Sequence, residues 1–107
     1  PEDLVPGWVE EPRQLDGRLQ GVVITFDHFG NVITNIEGSA LDGLAQPFVQ
    51  IAGHDIDVHR TYGEVTPGDY LALVNSFGML EVARAQGSAR KGLGVDRGAP
   101  LSLRNRV

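Results

Sequence analysis

From Leu19 onward the chain is a succession of short β-branched runs, each closed by a cluster of turn-forming residues. That alternation constrains the fold more than any other feature, because each run is strand-length and each cluster reverses the chain. Leu19 to Phe26 reads as one strand and Asn31 to Ile36 as its successor, joined by a short loop containing Gly30. Phe48 to Ala52 and Ile56 to His59 predict a second hairpin, turning at Gly53-His54-Asp55. Thr61 to Val65 leads into a turn at Thr66-Pro67-Gly68-Asp69, where Pro sets its own φ and Gly permits a positive one. Tyr70 to Val74 and Met79 to Ala83 form a third hairpin around Asn75-Ser76-Phe77-Gly78, and Leu101 to Leu103 closes the set. Ser39 to Leu44 predicts one helical turn capped by Ser39, and Ala85 to Leu93 a short helix. The expected fold is all-β: a small closed or partly open β-barrel with one or two short helical turns.

Composition narrows the function classes. At 107 residues, with 41% hydrophobic and 21% charged residues, the chain has the make-up of one globular domain. Its net charge of −5, a single Lys and eight scattered Arg argue against nucleic acid as a partner. No apolar run approaches the roughly 18 residues of a membrane span, so no membrane partner is expected. The absence of Cys removes disulfides and thiolate metal sites and fits a reducing, cytoplasmic location. Residues 1–18, rich in Pro, Gly and charge, read as an extended linker preceding a domain at 19–107; a start at Pro1 suggests a fragment or processed product. No internal repeat or low-complexity segment is visible.

Two polar knots stand out against these strands. In Phe26-Asp27-His28-Phe29-Gly30-Asn31, turn-formers gather at one bend with an aromatic among them. An Asn side chain presents a donor beside an acceptor, matching the edge of an adenine; an aromatic can stack on a purine, and a carboxylate can hold an ammonium group. The plainer reading is a hairpin whose Asp and Asn merely support the turn. The second knot, Asn75-Ser76-Phe77-Gly78, is followed by Glu81, Arg84 and Gly87-Ser88-Ala89. Ser76 and backbone N–H groups there could hold a carboxylate; the plain alternative is a second loop, with Glu81 and Arg84 on a solvated face. His54, Asp55, Asp57 and His59 suggest a metal site, but alternating polar residues are also what an exposed strand face shows, and no metal is expected there.

Taken together, the segments Asp27 to Ile36 and Asn75 to Ala83 resemble the two signatures of the C-terminal domain of the S-adenosyl-L-methionine (SAM) hydroxide adenosyltransferases. These are SAM hydrolases of the superfamily that also contains fluorinating and chlorinating enzymes. The likeness runs from about Gly17 to the C-terminus, with Tyr62-Gly63-Glu64 and Gln86-Gly87-Ser88-Ala89 in matching order. The resemblance implies a homotrimer in which the C-terminal domain of one subunit meets the N-terminal domain of the next around SAM. By matched position, Asn31 would bond the adenine edge, Phe29 and Tyr62 would pack on the base, and Asp27 and Ser76 would hold the methionine ammonium and carboxylate. Arg84 and Gln86 would lie beside the base, with backbone contacts expected more than side-chain ones, and Glu81 is counted with the substrate-facing residues.

SAM would be the substrate, with no separate cofactor. The family's water-handling Asp, Arg and His belong to the N-terminal domain, so no catalytic residue is expected in this chain and the chain alone should be inactive. Ile33, Phe77 and Glu81 match the hydrolase branch, where halogenating relatives tend to carry an aromatic, an Arg and a Ser. The expected function is thus the substrate-positioning half of an enzyme converting SAM and water to adenosine and L-methionine. The alternatives are a halogenase domain, or a non-catalytic module that binds adenosine or SAM or serves oligomerisation.

Overall fold

The β-branched runs do form strands, and the longest of them organises the rest. The structure, a computed structural model, describes residues 10–60 and 65–106. In chain order the elements are β1 (Arg13–Leu15), β2 (Arg18–Phe26), β3 (Val32–Glu37), a 3₁₀ turn (Gly38–Leu41), β4 (Pro47–Ile51), β5 (His54–Asp57), β6 (Tyr70–Val74), β7 (Met79–Arg84), α1 (Ala89–Leu93) and β8 (Pro100–Asn105). They pair in the order β5-β4-β8-β2-β3-β7-β6, every pairing antiparallel, with β1 added beside β2. The two ends approach each other: Val58 bridges Ala72 in parallel, and His59 N–H donates to the Ala72 carbonyl at 2.7 Å. The sheet thus curls into a barrel with one seam. Val23, Val32, Ile36, Val49, Leu80 and Val82 fill its interior, each burial worth about 1.5–3 kcal/mol.

Two polar residues inside β3 curve the sheet. The β2–β3 register shifts between Val23 and Thr25, and the β3–β7 register shifts between Ile33 and Glu37. Asn35, buried at this irregularity, accepts from Val22 N–H at 2.9 Å and donates to the Glu10 carbonyl. Thr34, also buried, donates to the Leu80 carbonyl at 2.8 Å and accepts from Ile36 N–H at 3.1 Å. Gly21 makes room for this arrangement, since a Cβ there would collide with Asn35 Oδ1. The polar residues are tolerated because their hydrogen bonds replace the ladder bonds the bulges remove.

Several local expectations shift. The β4–β5 turn is the two-residue Ala52-Gly53, with φ of 51° and 82°, and not Gly53-His54-Asp55. Ile51 pairs with His54 directly, the geometry of a tight hairpin whose two central residues both take positive φ. The 3₁₀ turn begins at Gly38 and has no side-chain cap; Ser39 lies inside it. The helix starts at Ala89, not Ala85, because Gln86 takes a left-handed φ of 58° and Ser88 Oγ then caps α1 by accepting from Lys91 N–H at 3.2 Å. Too short to persist alone, α1 holds through that cap, a left-handed Gly94 and the burial of Ala89 and Leu93. The segment read as an extended linker contains β1. Among the described residues no helix is long and apolar enough to cross a membrane.

Candidate functional site

The two polar knots fold into the same loop. At Asp27, Oδ1 accepts from the backbone N–H groups of Phe29 (2.9 Å) and Asn31 (3.0 Å). At Asn75, Oδ1 accepts from those of Phe77 (2.9 Å) and Met79 (3.1 Å). In each, the glycine N–H returns to the carbonyl of the first residue, and the first residue's N–H donates to the carbonyl of the fifth. Gly30 and Gly78 have φ of 85° and 83°, which closes both turns. The shared sequence signal is short: Asp27-His28-Phe29-Gly30-Asn31 against Asn75-Ser76-Phe77-Gly78-Met79. The five-residue likeness is legible in hindsight, though too brief to register as a repeat.

Each loop is also pinned by a distant backbone amide. Arg90 N–H, in α1, donates to the Gly30 carbonyl at 2.9 Å, and Gly38 N–H donates to the Gly78 carbonyl at 2.7 Å. The first contact is the tighter one in side-chain terms, because a Cβ on Gly30 would overlap Ser88 Oγ. Neither Ser88 nor Gly38 is singled out for such a role by the sequence.

Register sets the loops at opposite ends of one strand. Val32 faces Val82, so Asn31 is level with Ala83; Asn75 is level with Met79 through its 2.9 Å backbone bond. From Met79 to Ala83 is roughly 13 Å at the usual strand rise. Between them, Thr25, Ile33, Glu81 and Leu73 form one cross-strand row. Strand alternation turns this row away from the Val82 and Leu80 core face. Glu81, for which a solvated face is the plain reading, is only 6% exposed. Its Oε1 accepts from Asn75 Nδ2 at 3.1 Å. Desolvation pushes the Glu81 carboxyl above the ordinary range; the Asn75 hydrogen bond opposes that, and the negative charge of Asp27 adds to it.

Of the remaining candidates, Asn31 sits against Asp27, donating from Nδ2 to Asp27 Oδ2 at 2.9 Å. Its Oδ1 and second amide hydrogen remain as a neighbouring acceptor and donor. Phe29 projects outward, 74% exposed, with the edge of His28 against it at 5.3 Å between ring centroids. Ser76 is exposed at the tip of the second loop, beside the 86% exposed Phe77. Arg84 is tied down: Nε donates to the Gly68 carbonyl at 2.9 Å and the guanidinium lies 5.2 Å from the Tyr70 ring centroid. Gln86 occupies the strained turn just beyond. Tyr62 lies outside the described residues. The structure therefore pairs Asp27 with Asn31 and Asn75 with Glu81, sets Arg84 and Gln86 at the Asn31 end, and leaves Ser76 at the other. Asn35, within the Asp27 to Ile36 segment, belongs to the bulge instead.

The His54–His59 stretch is separate. His54, Asp55, Asp57 and His59 border a cleft of about 400 Å³ with Tyr70, and Asp57 bonds Arg106 at 3.0 Å. No group of three or more metal-ligating side chains converges among the described residues.

A curled antiparallel barrel with one hydrogen-bonded loop design repeated at opposite ends of a strand defines a small β-domain. Residues 21–102 match the SAM hydroxide adenosyltransferase C-terminal domain, and the chain belongs to that family. It is 41% identical over 103 residues to an (R)-S-adenosyl-L-methionine hydrolase of Thermus thermophilus, covering 96% of this chain and 39% of that protein. A Salinispora tropica protein of the same name is 41% identical over 81 residues, covering 76% of this chain and 31% of that one. The chain thus spans about two fifths or less of these curated relatives. Among solved structures, a conserved hypothetical protein from Thermus thermophilus superposes with a TM-score of 0.69 at 44% identity, covering 78% of this chain and 34% of that one. An uncharacterized conserved protein from Thermotoga maritima superposes with a TM-score of 0.73 at 27% identity, covering 92% and 40%.

Proposed function

We infer that this chain is the substrate-positioning domain of a SAM hydrolase, acting with an N-terminal domain of the same protein type in a cytoplasmic homotrimer. The observation that carries the reading is the Asn31 amide, fixed by Asp27 at 2.9 Å with a donor and an acceptor left over at the rim of the outer face. That pair suits the edge of an adenine. Asp27 Oδ2 keeps room for a further hydrogen bond, so an ammonium can dock beside it. The resemblance gives the methionine carboxylate to Ser76, in the far loop, with Ile33 and Glu81 on the strands between the two loops. Gln86 and Arg84 flank the purine end, with Phe29 and Tyr62 against the base.

The reaction is displacement at the ribose C5′. A water oxygen forms the new C–O bond, the C5′–S bond breaks with its electron pair leaving on methionine, and the proton lost from water passes to groups outside this chain. A sulfonium leaves readily, so the protein's task is alignment and exclusion of bulk water. SAM is the substrate, and no additional cofactor is called for. The names of the relatives support this reading, as do Ile33, Phe77 and Glu81 at the positions that distinguish the hydrolase branch.

The test is to incubate the full-length protein with SAM, with and without chloride, and identify the products. Adenosine and methionine in both cases are expected. A chlorinated nucleoside would make the protein a halogenase, and no turnover combined with SAM binding would leave a binding module.

A further inference from the structure

Asn75 has a problem that Asp27 does not. A carboxylate accepts at both ends, so Asp27 offers Oδ1 to Phe29 and Asn31 and Oδ2 to the Asn31 amide whichever way it turns. A side-chain amide has one accepting end and one donating end. If Asn75 were flipped, its NH₂ would confront the N–H groups of Phe77 and Met79, and the loop would lose both bonds. The two N–H groups favour the oxygen end, and the partner of Nδ2 decides how firmly that choice holds.

Glu81 stands where that choice is made. Its Oε1 lies 3.1 Å from Asn75 Nδ2, and the residue is 6% exposed. A carboxylate can only accept, so it attracts the NH₂ end and repels the oxygen end. It does so at a cost, since desolvation and the nearby Asp27 both disfavour its charge. A glutamine would avoid that cost but has its own flip, and would allow both arrangements.

We propose that Glu81 is a positioning residue whose carboxylate sets the orientation of the Asn75 side-chain amide and thereby holds the Ser76–Gly78 loop in its substrate-facing shape. This rests on the functional reading above only where SAM is the readout. The loop geometry stands independently of it.

The test is a charge swap in the full-length protein, read by amide hydrogen exchange over residues 75–80 and by the KM for SAM. Asn75→Asp alone sets two carboxylates against each other, so exchange in the loop rises and KM increases about tenfold, the size expected when one charge-assisted contact is lost. Glu81→Ala gives a similar result, and Glu81→Gln an intermediate one. The double variant Asn75→Asp/Glu81→Gln recreates the carboxylate–amide pairing of Asp27 and Asn31, so it restores protection and brings KM back toward wild type. The loss in Glu81→Ala should be smaller for a dimethylsulfonium analogue of SAM that lacks the amino-acid group. A double variant no better than Asn75→Asp, or a Glu81→Ala protein with wild-type exchange in the loop, would overturn the proposal. If the wild-type protein fails to turn over SAM, the functional reading falls, and the exchange pattern still decides the role of Glu81.

Discussion

The two Phe-Gly loops have the same internal hydrogen bonds and differ in what surrounds them. The Asp27–Asn31 loop is self-sufficient: its carboxylate satisfies two backbone amides and the Asn31 side chain without outside help. It is then fastened to the start of α1 through Gly30, Ser88 and Arg90. The Asn75–Met79 loop borrows its order from Glu81 and from a single amide at Gly38. One backbone design therefore yields a rigidly anchored loop and one that depends on a buried charge. On the proposed reading, the anchored loop is the one that would hold the base edge.

The sharpest way to break this contrast is at the glycines. Gly30→Ala combines a positive φ with a Cβ that would overlap Ser88 Oγ, whereas Gly78→Ala meets nothing within 4 Å and carries only the backbone strain. Urea unfolding should show a loss of about 3 kcal/mol for the first and about 1 kcal/mol for the second. Equal losses would mean that the α1 clamp contributes nothing. Next come the contacts to substrate. Asn31→Ala and Asp27→Ala in the full-length protein should each raise the Kd for SAM about tenfold or more, with Asp27→Ala also unfastening the loop. Unchanged affinity in both would return the first knot to an ordinary hairpin turn.

A smaller effect comes from pH. Burial, more than Asp27, raises the Glu81 carboxyl in the folded state, while the Asn75 bond works against the rise. A carboxyl whose folded value exceeds its unfolded one favours the folded state when protonated, so its contribution declines as pH rises from the ordinary carboxylate range through the raised value. Removing the charge with Glu81→Gln should therefore change stability relative to wild type most favourably at neutral pH. Thermal melts should show that difference shifting against the variant as pH falls from the raised value to the ordinary carboxylate range; a pH-independent difference would deny the burial effect. The smallest change is expected at the loop tips. Phe29→Ala and Phe77→Ala remove side chains 74% and 86% exposed, so each should alter folding stability by less than about 0.5 kcal/mol. A larger loss in the assembled full-length protein would show these tips packed against a neighbour.

Most of the strands could be read directly from the residues. Val22-Val23-Ile24 and Leu71-Ala72-Leu73 are locally consistent strand formers, and Pro67-Gly68 has one geometry it adopts easily, seen in the positive φ of Gly68. Misplacements occurred where a neighbour overruled propensity. Ala52 accepts a positive φ because β4 and β5 pair in the register Ile51 to His54. Gln86 does the same, and so delays the helix to Ala89. The candidate site was legible in its residue types and order, but not in its partnerships. Ser88 against Gly30 and Glu81 against Asn75 depend on segments brought together by the sheet.

By itself the sequence determined the local elements: where the chain turns, which runs are extended, and which two bends concentrate Asp, Asn and Phe-Gly. Turn chemistry and strand propensity act over a few residues, and they are written where they act. Only the tertiary structure decided that Asn35 serves a bulge, that Glu81 is buried between two knots, and that the knots are one loop used twice at opposite ends of β7. Those outcomes depend on the register of β3 against β7, and register is settled by packing of the whole barrel, in which no single segment has the deciding contacts.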